Sequence, residues 1–293
     1  MRVTQSMLSN NMMRNLSNSY NKMGKLQEQL TTKKKINRPS DDPVVAFKGI
    51  GYRTDLSKVE QFTRNLGEVN NWLDNSDSAL DHVGEILHRV KELVVDAAND
   101  SKTDDDRLKI KTEIDALKEQ LQSISNTKVG DKYIFNGTNT LTPVFANGNF
   151  SQSPGKDNDV KIEIFDGIEL IVNTQGAVDR FVDLDNMMSN ISNELGANPS
   201  SGQAVGNLLG NVEEQLGLVL EKRAEIGARQ NRAELMGNRL ANQEVSTKKI
   251  MSENEDVDYE KAITDLITEE TVHRAALSVG SRIIQPTLVD FLR

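Results

Sequence analysis

Residues Val59 to Ala97 read VEQFTRNLGEVNNWLDNSDSALDHVGEILHRVKELVVDA, and their apolar side chains recur on a helical period. Val59, Phe62, Leu66, Val69, Leu73, Ser76, Leu80, Val83, Leu87, Val90, Val94 and Ala97 step alternately by three and four residues, with Ser76 the only polar member. This alternation is an a/d seam, the mark of helices packed along their length. From Trp72 a third column joins through Ala79, Ile86 and Leu93. An apolar face that wide suits a bundle of several helices better than a two-stranded coil. At 1.5 Å per residue the stretch would span roughly 58 Å. The stripe reads as core packing and implies no cofactor.

Proline places the joints around this helix. The six prolines are Pro39, Pro43, Pro143, Pro154, Pro199 and Pro286, which leaves two long proline-free arms, 44–142 and 200–285. Proline inside a helix costs about 3 kcal/mol, so both arms are read as helical. Ser40-Asp41-Asp42-Pro43 forms a helix start, with Asp42 as N-cap and Pro43 in the first helical position. Thr103 can cap a second start, and Asp104, Asp105 and Asp106 then sit at the positive end of its dipole. Those aspartates lack the spacing, central glycine and terminal glutamate of a calcium loop. Ile110, Ile114, Leu117, Leu121 and Ile124 continue the heptads, so residues 99–103 read as the turn of an antiparallel hairpin.

The middle of the chain changes character. Turn pairs crowd in at Gly130-Asp131, Asn136-Gly137, Asn147-Gly148, Pro154-Gly155 and Asp166-Gly167. Val160, Ile162 and Ile164 alternate with charged residues, and Asp166-Gly167 turns them back into Ile168 to Val172, a hairpin signal. An amphipathic helix over 178–195 closes this module. Asn136-Gly137-Thr138 has the form of a glycosylation sequon, but a structural role for it is the simpler reading.

The second arm holds a seam through Val205, Leu209, Val212, Leu216, Val219, Ile226, Ala233 and Leu240, while its other column turns polar at Arg223, Gln230, Gly237 and Glu244. A polar column of this kind is expected either to face water or to meet another subunit. The chain ends carry narrower stripes: Met12, Leu16, Met23, Leu26 and Leu30, with Ser19 in the gap, and Ile263, Leu266, Ile267, Val279 and Ile283. Lone helices this narrow are marginal in water. The ends are therefore expected to pair with each other, with neighbouring copies, or with both.

The expected fold is mainly α: a long antiparallel helical bundle or coiled coil built from both chain ends, with a small β-rich domain inserted in the middle. The expected pieces are 1–42 with 255–293 (terminal coiled coil), 43–140 with 200–254 (helical bundle) and 141–199 (inserted module).

Composition narrows function. Among 293 residues there are 35 Lys and Arg against 44 Asp and Glu, a net charge of −9, which argues against nucleic acid or anionic lipid as the main partner. Lys33-Lys34-Lys35 gives membrane binding a slight footing, without aromatic anchors. Cysteine is absent, so thiol catalysis and thiolate metal sites are excluded. His82, His88 and His273 are the only histidines, and no phosphate-cradling loop, nucleophile elbow or HExxH motif accompanies them. No catalytic, cofactor-binding or metal-binding residues are expected. The opening residues lack the apolar stretch of a cleavable signal.

Several stretches resemble the bacterial flagellin family. They are Met1-Arg2-Val3-Thr4, Ile36 to Pro43 (INRPSDDP), Tyr133 to Thr138 (YIFNGT), Arg223 to Arg232 (RAEIGARQNR), Glu255 to Tyr259 (EDVDY), and Gln285 to Leu292 (QPTLVDFL). The last is more similar to members at the hook–filament junction than to flagellin itself. The resemblance covers about 1–140 and 200–293. It implies a structural subunit of the extracellular flagellum, with no cofactor and no catalytic residue. It further implies export through the flagellar type III apparatus with an export chaperone and no cleaved peptide. Sister copies in a ring, hook-associated protein 1 and flagellin would be its neighbours. The filament subunit is the first alternative, and an intracellular coiled-coil adaptor, which the heptads alone permit, is the second.

Overall fold

The computed structural model describes residues 5–99, 101–151, 153–197 and 201–284. Its helices are α1 (Gln5–Thr32), α2 (Pro43–Ala97), α3 (Asp104–Ser125), α4 (Ala177–Leu195), α5 (Gly202–Asn207), α6 (Leu209–Glu255) and α7 (Tyr259–Ile284). Between α3 and α4 lie six short strands: β1 (Lys128–Val129), β2 (Lys132–Tyr133), β3 (Phe145–Ala146), β4 (Asn149–Phe150), β5 (Lys161–Phe165) and β6 (Ile168–Ile171). The strands pair as three separate antiparallel ribbons, β1·β2, β3·β4 and β5·β6. The fold is thus mainly α with a strand-containing middle. The chain divides into two compact units, 59–242 and 1–58 with 243–293, and α2 and α6 contribute residues to both.

In the unit 59–242 the α2 seam is the core. Val59, Leu66, Val69, Leu73, Leu80, Val83, Leu87 and Val90 are buried, and Phe62 packs half-buried against them, its ring stacked on Phe165 with centroids 6.0 Å apart. Ser76 is tolerated in the seam because its hydroxyl donates to Trp72 O of its own helix at 2.8 Å. Helix α3 folds back along α2, tied by Arg89 to Glu113 at 2.7 Å, and the turn is closed by Arg107, whose Nε donates to Ala97 O at 3.0 Å. Thr103 caps α3 as its sequence suggests: its Oγ1 accepts from Asp106 N, and the Asp106 carboxylate accepts from Thr103 N.

Helix α6 runs antiparallel to α2, as the pairs Lys91–Glu213, Gln230–Asp74 and Gly237 against Leu66 show. Here the expectation for the polar column of α6 is corrected. Arg223 bonds Asp77 at 3.1 Å and also Asp81, and Gln230 donates to Asp74 at 2.9 Å. The first half of the column thus meets an acidic row on α2 of the same chain, while Gly237 lies against Leu66 and Glu244 pairs with Lys248 of its own helix. Its complement was visible in the sequence only as solvated charge.

The strand-containing middle shares this core. The β5·β6 hairpin pairs Lys161 with Ile171 and Ile162 with Leu170, and Gly167 supplies the left-handed turn residue (φ 72°). Helix α4 buries Phe181, Leu184, Met188 and Ile191, with Phe181 edge-on to Phe135 at 5.2 Å. It packs along α3 through Lys118–Ser189 and Gln122–Asp185. Asn136, the sequon asparagine, is fully buried and donates to Thr142 O and Oγ1, both at 3.0 Å. Its side chain serves the loop and is closed to modification in the folded state.

Candidate assembly site: the paired ends and their joint

The unit 1–58 with 243–293 is built around α1 and α7, which pack antiparallel. Met12 abuts Gly280, the rings of Tyr20 and His273 lie 6.3 Å apart, and Lys22 faces Glu269 at 3.9 Å. Toward the C-terminal end of α1 the two backbones meet. Lys34 and Asp256 form an isolated antiparallel bridge, Lys35 N donates to Glu255 O at 2.6 Å, and Val257 N donates to Lys33 O at 3.1 Å. Lys33 takes a left-handed conformation (φ 63°) that turns the chain out of α1 into this bridge.

An ionic cluster locks the bridge. Glu255 is 3% exposed, and its Oε2 sits 2.6 Å from Arg53 and 3.4 Å from Lys34. Lys34 also holds Asp256 at 2.7 Å. The Asp256 carboxylate raises the Lys34 ammonium above the ordinary lysine value, and Lys34 in turn holds Asp256 below the usual carboxylate range. Gly49 is needed beside them, because a Cβ there would fall 2.2 Å from Glu255 Oε1. Asn254 Nδ2 donates to Val45 O at 3.1 Å, tying the end of α6 to the start of α2.

The start of α2 is set as the sequence predicts. Asp42 Oδ1 accepts from Val44 N at 3.0 Å and Val45 N at 3.1 Å, ahead of which Pro43 opens the helix. Asp41 turns the other way. It accepts from Arg38 N and faces Lys25 at 3.1 Å, and the lysine holds its carboxyl below the ordinary value. Asp258 repeats the N-cap at α7 by accepting from Lys261 N at 3.2 Å. The lysines 33–35, just ahead of INRPSDDP, and the EDVDY stretch, more than 200 residues away, therefore build one joint. Periodicity had no means of linking them.

The predicted end residues fall into two groups. Met12, Leu16, Met23, Leu26 and Leu30 of α1 and Leu266 of α7 are half-buried. Ile263, Ile267 and Val279 are instead 46%, 58% and 57% exposed. Ile283 lies in α7, but its side chain is outside the described residues, as are Met1 to Thr4 and Gln285 to Arg293. The covered face of α7 carries smaller groups: Ala262 and Gly280 are buried and Ala276 half-buried. Sequence reasoning passed over Ala262 and Gly280 because hydrophobic size, its chief guide, is least at close approaches. Their spacing of three and four residues along the column 262, 266, 269, 273, 276, 280 was the available signal.

Outward of this contact the unit displays Met7, Leu8, Met13 and Tyr20 on α1, and Ile263, Ile267, Val272, Leu277 and Val279 on α7. So many exposed large apolar groups on one helix pair make it the candidate interaction surface. Among the described residues no cluster of three or more His, Cys, Asp or Glu is arranged to hold a metal, and no helix is long and apolar enough to cross a membrane. His82 lies on the surface beside Glu85 at 3.2 Å, and His88 is exposed.

The chain is similar to proteins of the bacterial flagellum. Residues 3–140 match the bacterial flagellin N-terminal helical region, and residues 209–292 match the flagellin C-terminal helical region. Flagellar hook-associated protein 3 of Escherichia coli is 25% identical, over 94% of this chain and 95% of its own length. The flagellar filament 31.3 kDa core protein of Treponema maltophilum is 24% identical, over 86% of this chain and 85% of its own. The crystal structure of Bacillus cereus FlgL superposes with a TM-score of 0.60 at 24% identity, covering 69% of this chain and 99% of that one, and shares the fold. The chain belongs to the bacterial flagellin family, and is a structural protein of the flagellum, outside the cell, rather than an enzyme.

Proposed function

We propose that this chain is the subunit joining the flagellar hook to the flagellin filament. Sister copies form a ring, with hook-associated protein 1 on one side and flagellin on the other. The chain reaches that position unfolded, through the type III export apparatus with a dedicated chaperone and without a cleaved signal. In the ring, 1–42 with 255–293 form the inner layer, 43–140 with 200–254 form the next, and 141–199 faces outward.

One observation carries the assembly part of this reading. The large apolar side chains Ile263, Ile267 and Val279 stay exposed beside the small residues through which α7 meets α1, so the pair keeps apolar surface on both flanks of its contact that only a neighbour covers. Because each is already about half covered, completing its burial adds about 1 kcal/mol per side chain, which favours folding of the ends together with docking. The junction position rests on the near full-length similarity to hook-associated protein 3.

The similarity to a filament core protein supports a second reading, in which the chain is the filament subunit. A tagged chain separates the two. Label confined to the hook end of shed flagella, together with filament protein leaking into the medium when the gene is deleted, is the junction result. Label along the filament refutes it.

A further inference from the structure

The α1·α7 pair contains one polar layer. Ser19 is 7% exposed, and its Oγ has no hydrogen-bond partner among the described residues. The register that brings Met12 to Gly280 and Lys22 to Glu269 sets His273 at the level of Ser19. The His273 ring lies beside Tyr20, and its Nδ1 is buried and likewise unpartnered. Two buried polar atoms without partners in one layer weaken a helix pair, because each has lost water and gained nothing.

Ser76 shows that a serine in a seam need not have this effect. Its hydroxyl is bonded to its own helix, at Trp72 O. The layers around Ser19 offer little compensation. The apolar residues of α1 are only half-buried, and α7 presents Ala262, Ala276 and Gly280 to them. Helices of 28 and 26 residues depend on this contact for most of their stability, so a defect in one layer of it weighs heavily.

We propose that the Ser19–His273 layer holds the α1·α7 pair near the margin of stability in the free chain, and so keeps both ends open to completion by neighbouring copies. The proposal rests on the assembly reading above and adds the residues that set its balance. A fully apolar layer at this level would zip the two ends together before any neighbour arrived.

Hydrogen exchange on the purified full chain tests it. Ser19→Ala with His273→Leu fills the layer with carbon. Protection across 7–30 and 262–281 is then expected to rise about tenfold or more over the parent, since two buried unsatisfied groups are removed. His273→Asn retains a buried polar group and is expected to leave protection within about twofold of the parent. Unchanged protection in the Ala/Leu variant overturns the proposal, and so does an equal rise in His273→Asn. Either failure leaves the junction position standing, because that is read independently from where the tagged chain lies on the flagellum.

Discussion

Gly49→Ala probes the joint most sharply, because two effects of known size oppose each other there. Helix propensity alone favours alanine by about 1 kcal/mol. The new methyl, however, would sit 2.2 Å from Glu255 Oε1 and 3.1 Å from its Cδ, well inside contact. Glu255 is buried, with Oε2 bonded to Arg53 at 2.6 Å and close to Lys34 at 3.4 Å, so clearing the methyl means giving up both. Loss of a partner from a buried ion pair costs ~3–5 kcal/mol. The Arg53 and Lys34 side chains are 61% and 36% exposed, and water recovers part of that. The loss is then about 2–3 kcal/mol, and the net change is a destabilisation of about 1–2 kcal/mol. Glu255→Ala removes the obstruction. In that background Gly49→Ala should stabilise by up to about 1 kcal/mol, a reversal of sign that simple additivity forbids. Because the chain has two units, the readout should be local: exchange at the amides of Lys35 and Val257, whose bonds to Glu255 O and Lys33 O close the joint. Greater protection from Gly49→Ala in the parent chain, or the same sign in both backgrounds, would refute the reasoning.

Three further outcomes are expected. The depressed carboxyls of Asp256 and Asp41 contribute stability that is complete above the ordinary value near 3.9 and fades as pH falls through their lower folded values. The raised Lys34 contributes stability that is complete below about 10.4 and fades as pH climbs through its higher folded value. Joint protection, corrected for intrinsic exchange, should therefore be flat from about pH 5 to 9 and fall on either side, and a steep change inside that window would contradict the ion-pair account. Leu73→Ala, at a fully buried seam position, should cost the unit 59–242 about 2–5 kcal/mol in urea unfolding followed by circular dichroism, and a cost near zero would remove Leu73 from the core. Thr103→Ala breaks the capping box and should cost ~0.5–2 kcal/mol, seen first as faster exchange at Asp106 N.

What the sequence disclosed follows the range of the interactions involved. The α2 seam was legible because every heptad repeats the same demand for burial, so one error at Ser76 could not hide the pattern. The β5·β6 hairpin and the caps at Asp42 and Thr103 were legible because each is decided within a few residues. The Lys34–Asp256 bridge was not, since its partners are 222 residues apart and their pairing depends on how two helices end. The partners of Arg223 were hidden for the same reason: it reads as solvated until Asp77 and Asp81 are found on the adjacent helix.

The chain ends are a different case, and the way their predicted residues divide is informative. Periodicity ranks residues by size and hydrophobicity, so it selects Ile263, Ile267 and Val279 on α7. Close approach to α1 selects the small residues Ala262 and Gly280 instead. A helix stable only as half of this pair would have no use for further exposed apolar side chains. Keeping large branched side chains on the uncovered side exposes the free chain to aggregation, a cost that is offset only if that side is covered in the working state. The residues that periodicity ranks first on α7 are therefore, in part, the feature that most directly calls for a neighbour. A chain whose outward stripe is made polar, by Ile263→Gln with Ile267→Gln, should keep its α1·α7 contact and lose its place on the flagellum.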